Sequence, residues 1–456
     1  MFTSTVLSEN APMICDPRGG RPPRARWLLA ASLAFAAGAP LHAAGAGSAK
    51  PALPLAARLA EAVASAQKIV EMVRGVPFRG TVASAVLPEK DLAGTLEKKL
   101  AEDLPVAFDR YTASLDALGL IDDEPGLQKR ITGLYARQVA GFYDPAERKF
   151  YIVPERSSEA ATGLPALGSD AAGLMEEVLL THELTHALQD RRLGLDRRMK
   201  DLKESSDGML ALECVLEGEA TVVMTDALVS RLPEESRGLF GPDTLSQMMA
   251  GLSAGGGDIE GAQGVPDFFV KELLFPYVAG TAWIQKKRAG GGWGPIDAAY
   301  RNLPATTSEI LHPERPAGLR LRLGDEKPGT RDLPAGTRKL YSDSLGEWIL
   351  KTLLERAGSS GAAALAADWQ DDHVLFFEPT EAAGGPVGFV WRLRMSTPSA
   401  ARRLSEALAG FYGASETPPR ATLHITGDVL TVVRGRTVSA GRPTVPRGTS
   451  GPRAER

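Results

Sequence analysis

Apolar residues recur along most of this chain at the three-to-four spacing of helices that bury one face. Over residues 55–73 the stripe runs through Leu59, Val63, Ile69 and Val73, and similar spacing predicts helices over 90–104 and 106–118. A break at Asp122 and Asp123 precedes another helix at 127–139. Alternation replaces this period at 76–87, read as one or two strands, and at 141–143 and 150–153. The last two flank a turn at Asp144-Pro145-Ala146-Glu147.

Two longer helices follow. Residues 171–190 contain no proline, and their only glycine, Gly173, falls in the first turn. Ser169 and Asp170 offer N-cap oxygens, Glu176 and Glu177 place negative charge near the N-terminal end, and Leu180, Leu184, Ala187 and Leu188 form an apolar stripe. Residues 207–232 read as a second helix through Leu212, Val215, Leu216, Val222, Val223, Ala227 and Leu228. A further helix at 271–287 is expected to be interrupted near Pro276.

Beyond a Pro-, Gly- and charge-rich boundary at 318–336, the order is a helix (344–356), two strands (374–377, 388–395), a helix (397–412) and two strands (421–425, 429–433). The fold class is therefore α+β: a mainly helical domain with a small mixed sheet at 47–330, and a smaller α+β module at 331–435. A basic tail at 436–456 has the composition of a disordered segment. The glycine-rich stretch 240–266, with Met248 and Met249, reads as a surface insertion, the sharper alternative being a lid.

Chemistry enters at His182-Glu183-Leu184-Thr185-His186. Histidines four positions apart share one helical face, so both imidazoles can reach a single metal ion. Glu183 beside the first of them is placed to take a proton from a metal-activated water. The helix at 207–232 holds Glu213, Glu217 and Glu219 among apolar residues, a costly arrangement unless a cation compensates it. Gly218 in the same helix sacrifices about 1 kcal/mol relative to alanine. A close helix crossing explains it, expected here to bring this helix onto the histidine helix.

A His-Glu-x-x-His helix followed by a second helix with Glu217-Gly218-Glu219-Ala220 resembles the gluzincin metallopeptidases. In that clan the glutamate before the glycine is the third zinc ligand. The resemblance thus implies Zn2+ held by His182, His186 and Glu217, with Glu183 as general base, in a zincin-like domain acting on a peptide or protein substrate. Glu213, one turn earlier, stays open as the partner of a ligand histidine or, in a shifted frame, as the ligand itself. Some gluzincins carry a histidine-orienting aspartate four residues after the ligand, where this chain has Thr221. Stretches 139–145, 274–280 and 306–314 also resemble exported bacterial members of the clan, and the likeness spans about 59–316. By the same resemblance, 150–153 is a candidate strand edge for pairing with substrate. Tyr277 and His312 are candidate donors to the oxyanion of the reaction, the alternative for Tyr277 being an ordinary core tyrosine. The alternative for His312 is a turn residue that anchors its loop.

Composition adds bounds. A net charge of −4 gives no bulk electrostatic case for a nucleic-acid partner or an anionic membrane. Arg18, Arg21, Arg24 and Arg26 precede an apolar run at 27–37 and Ala44-Gly45-Ala46, the layout of a secretory signal peptide over 1–46. The run falls short of the about 20 apolar residues a stable span needs. The expectation is export to the periplasm or the extracellular medium, with an inner-membrane anchor as the minority reading. The mature chain keeps one cysteine, Cys214, so no internal disulfide forms, and it reads as a small buried residue rather than a ligand. The rival to a peptidase is an exported binding or scaffold protein whose zinc site is structural and whose C-terminal module carries the function. Nothing in the sequence sets an oligomeric state.

Overall fold

A helix whose apolar residues occupy every turn and every side belongs in the middle of a protein, and residues 206–231 are such a helix. In the computed structural model, which describes residues 55–156, 171–232, 234–237, 259, 261–315, 320–380, 385–413 and 421–435, every residue from Cys214 to Val223 is buried. The predicted leader, the basic tail and most of the glycine-rich stretch lie outside the described residues.

In chain order, α1 (Leu55–Arg74) leads to β1 (Ala83–Val86), α2 (Glu89–Asp103), α3 (Phe108–Leu118) and α4 (Leu127–Gln138). Then come β2 (Gly141–Asp144), β3 (Lys149–Ile152), α5 (Ala171–Leu193), α6 (Leu195–Asp201), α7 (Ser206–Arg231) and the short α8 (Glu234–Arg237). The helical part closes with α9 (Asp267–Arg288), α10 (Gly294–Ala299) and α11 (Thr307–Leu311). The C-terminal part runs β4 (Thr337–Asp343), α12 (Gly346–Arg356), α13 (Ala362–Ala366), β5 (Trp369–Pro379), β6 (Gly388–Met395), α14 (Pro398–Gly413), β7 (Thr422–Thr426) and β8 (Val429–Arg434). The architecture is α+β, as expected.

The central helix α7 starts where Ser205 accepts a hydrogen bond from Gly208 N at 3.1 Å. It packs on α1, α5, α9, α11 and α12, most extensively on α9. That contact explains Gly218. A Cβ there would lie 2.2 Å from the carbonyl carbon of Gly280, and one on Gly280 would lie 2.0 Å from the carbonyl oxygen of Cys214. Two glycines therefore let α7 and α9 touch backbone to backbone. The close crossing expected from the sequence exists, but its partner is α9 and not the histidine helix. The helix α9 runs unbroken through Pro276, against the expected interruption. Pro276 is buried within the helix and lines a cleft.

The helix α5 also departs from expectation. It is buried on all sides from Val178 to Asp190, rather than amphipathic with one wet face. Gly194, at φ 64°, supplies the left-handed residue that ends it.

The small sheet has the order β1-β3-β2, with β1 parallel and β2 antiparallel to β3. Residues 150–153 therefore form the centre of the sheet, and the expected substrate-pairing edge is already occupied on both sides. The region 76–87 holds one strand. The second sheet is antiparallel in the order β4-β5-β6-β8-β7. Its first strand escaped the sequence reading because Thr337–Asp343 carries few apolar residues to alternate. One apolar core runs through both parts of the chain, joining Leu210, Cys214 and Val215 of α7 to Trp348, Trp369 and Trp391.

Candidate metal centre

The spacing of His182 and His186 puts their rings on one face of α5, with centroids 4.9 Å apart and planes at 81°. Where α7 crosses that face it presents Glu217. His182 Nε2 lies 3.2 Å from His186 Nε2 and 3.2 Å from Glu217 Oε2, and His186 Nε2 lies 3.6 Å from the same oxygen. All three side chains are buried. The ligand atoms thus form a nearly equilateral triangle. Its sides match the about 3.3 Å edge of a tetrahedron around an ion with bonds of about 2.0–2.1 Å. Two imidazole lone pairs and a carboxylate oxygen crowded together in a dry interior need positive charge between them. The residues fit a divalent metal.

The electrostatics agree. Burial raises the pKa of the Glu217 carboxyl, but His186 and His182 outweigh it and hold the group down at about 2. Burial lowers the His186 imidazole, and Glu217 and Glu183 reverse this to bring it up to about 9. His182 is pushed below its ordinary value, chiefly by burial.

Glu183 is buried beside the ligands, and its Oε2 accepts a hydrogen bond from Tyr143 N of β2 at 3.1 Å. The same tyrosine's hydroxyl donates to Asp190 Oδ2 at 3.0 Å, two turns along α5. Residue 143 therefore pins α5 at both places, which fixes the Glu183 carboxylate relative to the histidines.

The helix crossing at Gly218 and Gly280 brings Tyr277 of α9 to the triad. Its ring lies over His182, with centroids 6.2 Å apart and planes at 19°. Burial drives its hydroxyl well above the ordinary tyrosine range, reinforced by nearby Glu217, to which it hydrogen-bonds, and by Glu183. Tyr277, Pro276, Glu217, Glu213 and Glu272 line a cleft of about 100 Å³ whose other walls are largely apolar, among them Leu210, Phe269 and Leu273. A cavity of that size takes one side chain.

Not every candidate converges here. His312, the C-cap of α11, bonds Glu347 of α12 through Nε2 at 2.7 Å and lies 3.8 Å from Glu314 through Nδ1. Glu213 lies on the cleft wall, half-buried, and Glu217 alone of the two joins the ligand group. Cys214 is buried with its backbone against Gly280. Thr221 makes no side-chain hydrogen bond among the described residues. Of the two histidines, His186 has a partner in Gln189, whose Oε1 lies 2.8 Å from its Nδ1, whereas His182 Nδ1 has no hydrogen-bond partner among the described residues. Sequence reading missed Gln189, because a glutamine three residues past a motif histidine carries no distinguishing signal.

Among the described residues, His182, His186 and Glu217 are the one group of His, Cys, Asp or Glu side chains gathered closely enough to hold a metal ion. No family model, curated protein or solved structure matches this chain, so the case for a metal centre rests on these side chains and their geometry.

Proposed function

We propose that this protein is an exported zinc-dependent peptidase of the gluzincin type. The observation that carries the reading is Glu183. Three protein ligands leave the fourth position of a tetrahedral site open, and a second buried acid stands beside them, held by the Tyr143 amide and outside the ligand group. A metal-binding clip does not require that carboxylate, whereas hydrolysis does.

A zinc ion held by His182, His186 and Glu217 would polarise the scissile carbonyl and lower the pKa of an attacking water to about 7. Glu183 takes the proton of that water and returns it to the leaving amine. Its fixed orientation against β2 keeps the proton path short through both steps. Tyr277, on the wall between the triad and the cleft, donates its hydroxyl to the developing oxyanion. The cleft receives one substrate side chain, and its apolar walls favour a residue with an apolar stem. His312, engaged with Glu347, takes the anchoring role between α11 and α12. The support for export is the signal-peptide layout of the sequence over 1–46. No helix among the described residues is long and apolar enough to cross a membrane.

The test is Glu183→Gln in the mature protein, assayed against a peptide library with and without chelator. Retained zinc with cleavage abolished is the expected result. Full zinc occupancy of the parent with no cleavage of any peptide overturns the reading in favour of a structural zinc site.

A further inference from the structure

Next to His186 lies a second set of buried polar side chains that catalysis as described does not use. Gln189 is 1% exposed, and its amide can be oriented from its contacts. Nε2 lies 3.0 Å from the Leu216 carbonyl oxygen and 3.1 Å from Glu219 Oε2, both acceptors, so it must be the donor end. That leaves Oε1 as acceptor towards His186, whose Nδ1 must then carry the hydrogen. An imidazole protonated on Nδ1 keeps its lone pair on Nε2, the atom that meets Glu217 and His182.

Glu219 is itself held from three sides. Its Oε1 accepts from Arg74 Nε at 2.5 Å, and its Oε2 accepts from both Gln189 and the hydroxyl of Tyr300. The Arg74 and Glu219 side chains are 0% and 1% exposed. Arg74 extends the set to Asp297 at 2.9 Å and lies 4.1 Å from the centre of the Trp293 ring. The chain from His186 through Gln189 and Glu219 to Arg74 and Tyr300 thus ties one ligand on α5 to α7, to the end of α1 and to the C-cap of α10.

We propose that Gln189 is the positioning residue of the metal centre, and that the Arg74–Glu219–Tyr300 cluster sets its orientation and thereby the metal affinity of the triad. The proposal rests on the metal-binding part of the reading above and not on peptide cleavage. Loss of such an outer partner weakens metal binding about 10–100-fold in known metal sites.

The test measures zinc affinity of the mature protein by competition with a chelating indicator, and the visible absorption of the cobalt(II) form. Gln189→Met keeps the side chain's length and removes both hydrogen-bonding ends. It should weaken zinc about 10–100-fold and shift the cobalt bands. Asp372→Asn, a buried change outside the network, controls for general loss of stability and should move neither. Where Gln189→Met fails to fold, Tyr300→Phe removes a single hydroxyl and should still weaken zinc several-fold. Unchanged zinc affinity and cobalt spectrum in the folded Gln189 variant, or in Tyr300→Phe when it stands in, overturn the proposal. A parent protein that binds zinc but cleaves no peptide leaves the proposal standing and overturns only the peptidase. A parent that binds no zinc at all overturns the metal centre itself.

Discussion

Glu217 and Asp372 are both fully buried carboxylates, one in the helical part and one in the C-terminal sheet. Asp372 is surrounded by N–H donors: Leu345 N at 3.0 Å, Gly346 N at 2.8 Å, Trp369 Nε1 at 3.1 Å and Trp391 Nε1 at 2.8 Å. Those bonds complete its needs, and the carboxylate serves to fix the start of α12 against β5 and β6. Glu217 meets two imidazole nitrogens that themselves lie 3.2 Å apart, a set that closes only around a shared positive charge. Burial of an acid is thus no sign of a functional site by itself. The character of its partners decides.

The largest effect on this contrast should come from Gly280→Ala. The new methyl would meet the Cys214 carbonyl oxygen at 2.0 Å, and backbone cannot move aside as a side chain can. The cost should exceed the about 1–3 kcal/mol of ordinary overpacking. Thermal melting should show severe destabilisation, and metal binding should be lost with the crossing that carries both Glu217 and Tyr277. A stable, metal-binding variant would mean that the crossing is not what assembles the site. Next is Glu183→Gln, which should lower peptide turnover by about 10²–10⁴-fold with metal content unchanged. Turnover equal to the parent's would remove Glu183 from the chemistry.

Asp372→Ala should cost about 3–5 kcal/mol in denaturant unfolding, because two indole N–H groups and two backbone amides lose a buried acceptor. Metal affinity should stay at the parent's value. If metal binding fell instead, the two carboxylates would not be independent. Tyr277→Phe is the mildest change. It should reduce kcat by about 10²-fold through the lost oxyanion donor, with KM and metal content close to the parent's. An unchanged kcat would reduce Tyr277 to a packing residue over His182.

Local patterns were legible in the sequence, and long-range partners were not. His182, His186 and Glu183 declare themselves because one helical turn sets their geometry. Glu217 was readable through the following glycine and the resemblance that it supports. Gly218 announced a close crossing, but a missing side chain does not name its partner, and that partner proved to be Gly280. The expected edge strand at 150–153 lies at the centre of its sheet, since strand order depends on β1, which arrives from more than sixty residues earlier. The network through Arg74, Gln189, Glu219 and Tyr300 draws on α1, α5, α7 and the end of α10, and no spacing rule connects those positions. His312 was recognisable as a residue with a polar task, but its bond to Glu347 depends on how α11 meets α12.

The central claim is that Glu217, unlike Asp372, is buried for the sake of a metal ion. Calorimetric titration of the metal-stripped protein with zinc tests it most directly, run on the parent, Glu217→Ala and Asp372→Asn. The account predicts one tight site per chain in the parent and in Asp372→Asn, and its loss in Glu217→Ala while that variant remains folded. Equal zinc binding by folded Glu217→Ala, or no binding by the parent, would contradict it.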